Sequence, residues 1–525
     1  MKRALSALVL ALALAATSTA AGAAEYRNPI LHADYSDPDA IRVGQTYYMT
    51  ASSFNSAPGL PLLESRDMVH WELVGHALPQ LVPQEMFERP QHGKGVWAPT
   101  LRHHDGKFWI FYPDPDQGIY VTTATDFRGP WSTPQLLAAG KGLIDPTPLW
   151  DDDGQAYLMY AYAMSRAGIN NVLRLRKMSP DATRLLDEGK IVVDGSKYPT
   201  YHTLEGPKLY KARGYYYVFA PVGGVEHGWQ SVFRSRSIEG PYEARIVMAQ
   251  GSSNTNGPHQ GAWVQAADGK DWFYHFQHKG AYGRIVHLQP MRWQDDWPVI
   301  GEANPGNVTG QPVARYEQPL AGVMSGVEPA SSDDFSQPRL GLQWQWNANW
   351  KPEWYSLSAR KGFLRLNSQP LENLWNLPSI LLQKVSAERF TTTAKLDLRG
   401  LADGDSAGLV MYGTDYAWLG VRRADGASKV VLVTCLGAMA GCTENTVASA
   451  PLAAAGVSLR MQVEEGARTQ FSYSVDGKRY TPVGAPFIAS VGRWVGARMG
   501  LFSAGSGAAR GYLDVDDFNV KVSRP

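Results

Sequence analysis

The sequence predicts an all-β chain: a five-bladed β-propeller followed by an antiparallel β-sandwich. Three observations carry that prediction. A turn glycine running into a β-branched and aromatic segment recurs five times in the first 320 residues. Long amphipathic helical patterns are scarce between the copies, and short alternating strands continue to the end of the chain.

At 525 residues the chain is too long for one core, and 44% apolar with 11% aromatic residues supplies packed interiors for two. Met1 to Ala24 opens with Lys2 and Arg3, continues as an apolar run to about Ala16, and ends in the small residues Ala21-Gly22-Ala23. It reads as an export signal cleaved near Ala23 or Ala24, which places the mature chain in the periplasm or outside the cell. The run is shorter than the roughly 20 residues a bilayer needs, which argues against a membrane anchor. Losing Lys2 and Arg3 takes the net charge from +1 to −1. A near-neutral exported protein is not built to hold nucleic acid or anionic lipid, so neutral partners are expected. The sequence carries no signal for oligomeric state.

The propeller is expected over residues 25–320. Its repeats are "VGQTYYMTAS" at Gly44, "HDGKFWIFYPD" at Gly106, "DDGQAYLMYAY" at Gly154, "ARGYYYVFAP" at Gly214 and "ADGKDWFYHFQH" at Gly269. Most lead into a second strand pair such as "LESRDMVHWEL" or "SVFRSRSIEGPYE". "MSPDATRLLDEG" reads as a hairpin rather than a helix. Antiparallel sheets repeated without crossover helices hide most of their edges by closing into a propeller. An irregular sandwich with coincidental glycine turns is the alternative. A Gly, Pro and Ser-rich linker over 321–332 should lead to the sandwich over 333–525, where "SAGLVMYG", "AWLGVRR" and "KVVLVTC" alternate as sandwich strands do.

About seven to ten residues before each turn glycine stand Asp37, Trp97, Asp145, Glu205 and His259. The strand that opens each blade lies nearest the propeller axis, so these positions should face one another across one funnel. Three carboxylates gathered there repel and desolvate each other, which keeps one protonated near neutral pH while another stays ionised. That is an acid and a base in one place. Asp-Pro and Glu-Gly-Pro are also ordinary turn formers, and Trp97 or His259 taken singly would read as core; the shared register favours catalysis. No CxxC pair, HExxH helix, Walker loop or GxSxG elbow offers other chemistry.

The segments "YSDPDAIRVGQTYYMTASSF", "GVWAPTLRHHDGKFWIFY", "LIDPTPLWDDDGQAYLMY", "LEGPKLYKARGYYYVFAP", "GPHQGAWVQAADGKDW" and "GRIVHLQPMRWQDDWPVIG" together resemble glycoside hydrolase family 43. The likeness is strongest to its β-xylosidase and α-L-arabinofuranosidase branches, and the region after Asp333 is similar to the concanavalin-like sandwich of exo-acting members. The resemblance implies Asp37 as general base, Glu205 as general acid and Asp145 as the residue tuning that acid, with inversion at the anomeric carbon. It further implies substrate contacts from Phe54, Trp97, His259 and Arg284, an oligosaccharide or polysaccharide substrate, and no required cofactor. "SSFNSAPGLPL" lacks the bulkier aromatic run of typical β-xylosidases, which weakens any choice of sugar; family members often accept both pentoses, and the lean toward arabinofuranose is slight.

The long segment "GHALPQLVPQEMFERPQHGKG" is expected to fold over the top face and turn the funnel into a pocket that releases single residues. A non-catalytic carbohydrate-binding propeller, an endo-acting arabinanase and a retaining fructan hydrolase are the competing readings. Cys435 and Cys442 are placed for a local disulfide. "SSDDF" and "DVDDF" supply carboxylates for a structural calcium.

Overall fold

The computed structural model describes residues 24–303, 306–320, 327–505 and 510–523. The export signal, apart from Ala24, and the first half of the linker lie outside them. The regular secondary structure of the described chain is almost wholly β-strand, and no helix in it is long and apolar enough to cross a membrane.

Five four-stranded antiparallel sheets form the propeller. Their innermost strands are Asp39–Val43, Thr100–His104, Leu143–Trp150, Lys208–Ala212 and His259–Gln265. Each blade presents apolar side chains on both faces, and each core between blades takes residues from two neighbours. Leu62 and Leu101 meet between blades one and two, Phe111 and Leu158 between two and three, and Met159 and Val218 between three and four. Phe219 and Phe273 meet between four and five, and Met49 and Tyr274 close the ring between five and one. The segment before blade one completes the closure: Leu31 bridges Val286 of blade five, and Glu25–Arg27 pairs with Arg315–Glu317. "MSPDATRLLDEG" is the hairpin turn between Val172–Met178 and Lys190–Asp194.

A buried polar network ties the inner strands together near the axis. Asp39 Oδ2 accepts from Leu101 N at 2.8 Å and Arg102 Nη1 at 3.0 Å, with Lys208 Nζ at 3.7 Å. Lys208 Nζ donates to the Pro99 carbonyl and Thr100 Oγ1, and Arg102 reaches Thr147 Oγ1 at 3.1 Å. Four blades are thereby joined by charges that satisfy each other out of water.

The sandwich packs an eight-stranded sheet on a seven-stranded one. Its inner core includes Leu409, Met411, Leu459, Met461 and Phe471. The pairing is antiparallel except where Gln369–Pro370 runs parallel to Arg498–Gly505. The outer face of the eight-stranded sheet is also covered: Leu374, Trp375, Leu377 and Ile380 pack on Tyr412, Tyr416 and Trp418. Cys435 and Cys442 form a disulfide with Cα atoms 5.7 Å apart. "SSDDF" and "DVDDF" do meet, through the Asp333–Phe518 bridge. The Asp333 carboxylate, however, is taken up by Phe335 N, Gly341 N and the Trp344 indole, and Asp514 is held by Arg365. Among the described residues no group of three or more His, Cys, Asp or Glu side chains is placed to hold a metal ion.

Propeller and sandwich join along a wide seam. Ala57 and Trp346 exchange backbone hydrogen bonds, and Asn349 bonds Leu81 through both side-chain atoms and Phe87 through its backbone N–H. The ring of His92 stacks on Trp375 with centroids 3.7 Å apart. The long segment after blade one therefore folds under the sandwich, with the short 3-10 helix Gln84–Glu88 burying Phe87.

Candidate active site

A pocket of about 310 Å³ opens at the end of the propeller where the inner strands begin. Every blade contributes: Asp37 and Phe54 from the first, Trp97 and Ala98 from the second, Ile144 and Asp145 from the third, Thr203, Glu205, Gly224 and Val225 from the fourth, Gln260 and Arg284 from the fifth. Trp494 of the sandwich completes the wall. A larger groove of about 670 Å³ outside blade five lacks this convergence of acidic groups.

Asp37 and Asp145 stand before proline in equivalent places, and both adopt φ of +54°. The left-handed region is uncommon for any residue with a side chain, and Asp is among those that tolerate it best. Six pocket residues other than glycine share it: Asp37, Phe54, Asp145, Thr203, Gln260 and Trp494. Backbone strain of this kind persists where the surroundings impose it, and it gathers at functional sites.

Asp37 is 5% exposed and makes an ion pair with Arg284, whose Nη1 lies 3.0 Å from Oδ1 and 3.2 Å from Oδ2. Ser52 Oγ donates to its Oδ2 at 2.6 Å. Asp145 is 4% exposed and accepts from Gly206 N at 2.7 Å, a contact that ties it to the residue following Glu205. Burial first, and the charge of Glu205 second, push the Asp145 carboxyl up to about 8. The Asp145–Glu205 pair therefore carries a proton near neutral pH. Gly206 is required here: its φ is +61°, and a Cβ would approach Gln260 Cδ to 2.8 Å.

Glu205 is more open, its side chain 26% exposed, and His259 Nε2 lies 3.2 Å from its Oε1. His259 is itself fully buried. It stands behind Glu205 as a holder rather than on the pocket wall as expected, because its strand turns the next residue, Gln260, toward the cavity. Arg284 does line the pocket, but its guanidinium is engaged by Asp37. Phe54 and Trp97 form apolar walls as expected, 6.3 Å apart between ring centroids. The Trp97 indole donates to the Gly93 carbonyl at 3.0 Å.

Sequence reasoning missed Ser52, Gln260 and above all Trp494. The last comes from a different domain, with its ring edge-on to Trp97 at 6.0 Å, and no spacing in the chain announces it. The segment expected to close the pocket contributes none of its lining; its Gly93 carbonyl instead holds the Trp97 indole, and the sandwich supplies Trp494.

The family model "Glycosyl hydrolases family 43" matches residues 26–298, and "Beta xylosidase C-terminal Concanavalin A-like domain" matches 332–521. A putative beta-xylosidase of Xylanibacter ruminicola is 39% identical over 92% of this chain and 87% of its own. A non-reducing end alpha-L-arabinofuranosidase of Bacteroides ovatus is 31% identical over 74% of each chain. Among solved structures, a xylan beta-1,4-xylosidase from Bacillus halodurans superposes with a TM-score of 0.83 at 26% identity, covering 94% of this chain and 100% of that one. A bifunctional protein of Bacteroides eggerthii gives a TM-score of 0.83 at 30% identity over 95% of this chain, which spans 64% of that longer one.

Proposed function

The chain belongs to glycosyl hydrolase family 43 and is a glycosidase, and from that premise we propose that it releases single terminal pentoses with inversion at the anomeric carbon. The observation that carries the proposal is the pocket itself. At about 310 Å³ it lies at the small end of ligand sites and suits one sugar ring, with Asp37, Asp145 and Glu205 all on its lining.

Asp37, held by Arg284 and Ser52, acts as the base that draws a proton from water. Glu205, the more open carboxyl, protonates the departing glycosidic oxygen; His259 orients it, and Asp145 keeps a proton on the pair. Phe54, Trp97 and Trp494 pack against the apolar faces of the ring. The sugar is β-D-xylose first and α-L-arabinofuranose second: the names of the relatives favour xylose, against the slight lean of the sequence, and the arabinofuranosidase relative keeps the second in play. The amino-terminal signal pattern supports export, where plant cell-wall polysaccharides and their fragments are met.

Product analysis on xylo-oligosaccharides, xylan and linear arabinan tests this reading. Monomeric pentose from the first minutes is the expected result. Early accumulation of oligomers would overturn the exo-acting assignment.

A further inference from the structure

We propose that Asp34 is a positioning residue that sets the Trp494 wall and the Arg284–Asp37 pair in register, so that sandwich and propeller complete the pocket together. The inference rests on the exo-acting pocket proposed above.

Asp34 lies three residues ahead of Asp37 and is 5% exposed. Its Oδ1 accepts from Ser36 Oγ at 2.9 Å and from the Arg284 backbone N–H at 2.9 Å. Its Oδ2 accepts from the Gly496 N–H, also at 2.9 Å, across the domain boundary. One buried carboxylate thus holds the backbone of the residue that grips Asp37 and, on its other oxygen, the loop that carries Trp494. Charge-assisted bonds to backbone N–H groups are short, strong and directional, which suits them to fixing two loops relative to each other.

The loops meet backbone to backbone. A Cβ on Gly496 would fall 2.7 Å from Gly283 N, and one on Gly283 would fall 2.6 Å from Asp34 Cγ. Ala497 N donates to the Ala281 carbonyl at 2.7 Å beside them. Trp494, two residues from Gly496, has φ of +65°. A bulky side chain in that region is strained and stays there only where its neighbours hold it. Asp34 supplies that hold from the propeller side, at the point where the wall must be fixed against the floor of the pocket.

The test uses the full-length protein and three substitutions, Asp34→Asn, Gly496→Ala and Trp494→Ala, with kcat and KM measured on xylobiose well below the melting temperature. Asp34→Asn keeps the size of the side chain but turns a donor toward one of the N–H groups. Trp494→Ala and Gly496→Ala should each raise KM about tenfold with kcat nearly unchanged, and Asp34→Asn should raise KM and lower kcat by about tenfold each. In the Trp494→Ala background, Asp34→Asn should still lower kcat but add nothing to KM. Unchanged kinetics in Asp34→Asn, with only a lower melting temperature, would overturn the proposal, as would a KM effect that multiplies in full with that of Trp494→Ala. Should Asp34→Asn fail to fold, Gly496→Ala decides the point alone: a KM equal to wild type refutes the coupling. Release of oligomers by the wild type would count against the exo reading while leaving these variant ratios interpretable.

Discussion

In the mechanism proposed above, Asp145 keeps a proton on the acid pair. With its carboxyl pushed up to about 8 by burial and by Glu205, the pair it forms with Glu205 keeps a proton through neutral pH and loses it above. The basic limb of kcat/KM should therefore fall with an apparent value near 8 that belongs to the pair rather than to one residue. The same shift makes a stability statement. Between its usual carboxylate range and about 8, the folded protein holds a proton that the unfolded chain releases, so this group's contribution declines as pH rises across that window. Asp145→Asn should consequently melt higher than wild type at pH 8 but not at pH 4, and lose activity, which differential scanning fluorimetry and an aryl glycoside assay would check. Glu205→Ala should cost about 10²- to 10⁴-fold on substrates with poor leaving groups and far less on activated aryl ones; equal losses on both would contradict its role as acid. Asp37, Asp145 and Glu205 were legible in the sequence because repetition put them in one register. His259 was legible as a neighbour, but its direction was not, since one residue of strand alternation decides whether a side chain faces the cavity or the wall behind it.

At the scale of elements, the inner strands do more than aim carboxylates. "SDPDA" contains two aspartates with opposite duties: Asp37 faces the pocket, and Asp39 joins blades through Arg102 and Lys208. Asp39→Asn leaves Lys208 and Arg102 buried with their countercharge removed, which costs about 3–5 kcal/mol when a buried pair is broken. Urea denaturation should show that loss as a lower midpoint, while the variant that still folds keeps its pocket residues in place. Glycine turns and aromatic runs revealed the blades because each blade repeats the same local chemistry. The Asp39 network could not be read from the chain, because its partners come from separate blades and nothing local marks a Lys as buried.

The whole molecule behaves as two domains sharing one site. The sandwich covers the outer face of its larger sheet with Leu374–Ile380 and reaches the pocket through Trp494, so it supplies part of the wall. The sequence announced this domain through its alternating strands but not its contact with the propeller, which depends on loops brought together only by folding. Buried neutral imidazoles add a pH liability: His32, His92 and His275 are each pushed down to about 4 by burial. Below about 6.5 the unfolded chain takes up protons that the folded one refuses, so stability should fall as pH drops from about 6.5 toward 4. Thermal melts across that range check it. His92, at the seam, is expected to couple that loss to the domain contact.

In the proposed mechanism, carboxylates from separate blades act as an opposed base and acid around one sugar ring. Proton NMR of the first sugar released from an aryl β-xyloside, or an aryl α-L-arabinofuranoside if that is the better substrate, tests it most directly. Inversion requires that the anomer opposite to the substrate's appears first. Initial release of the same anomer would contradict it, because Asp37 would then be attacking carbon rather than activating water.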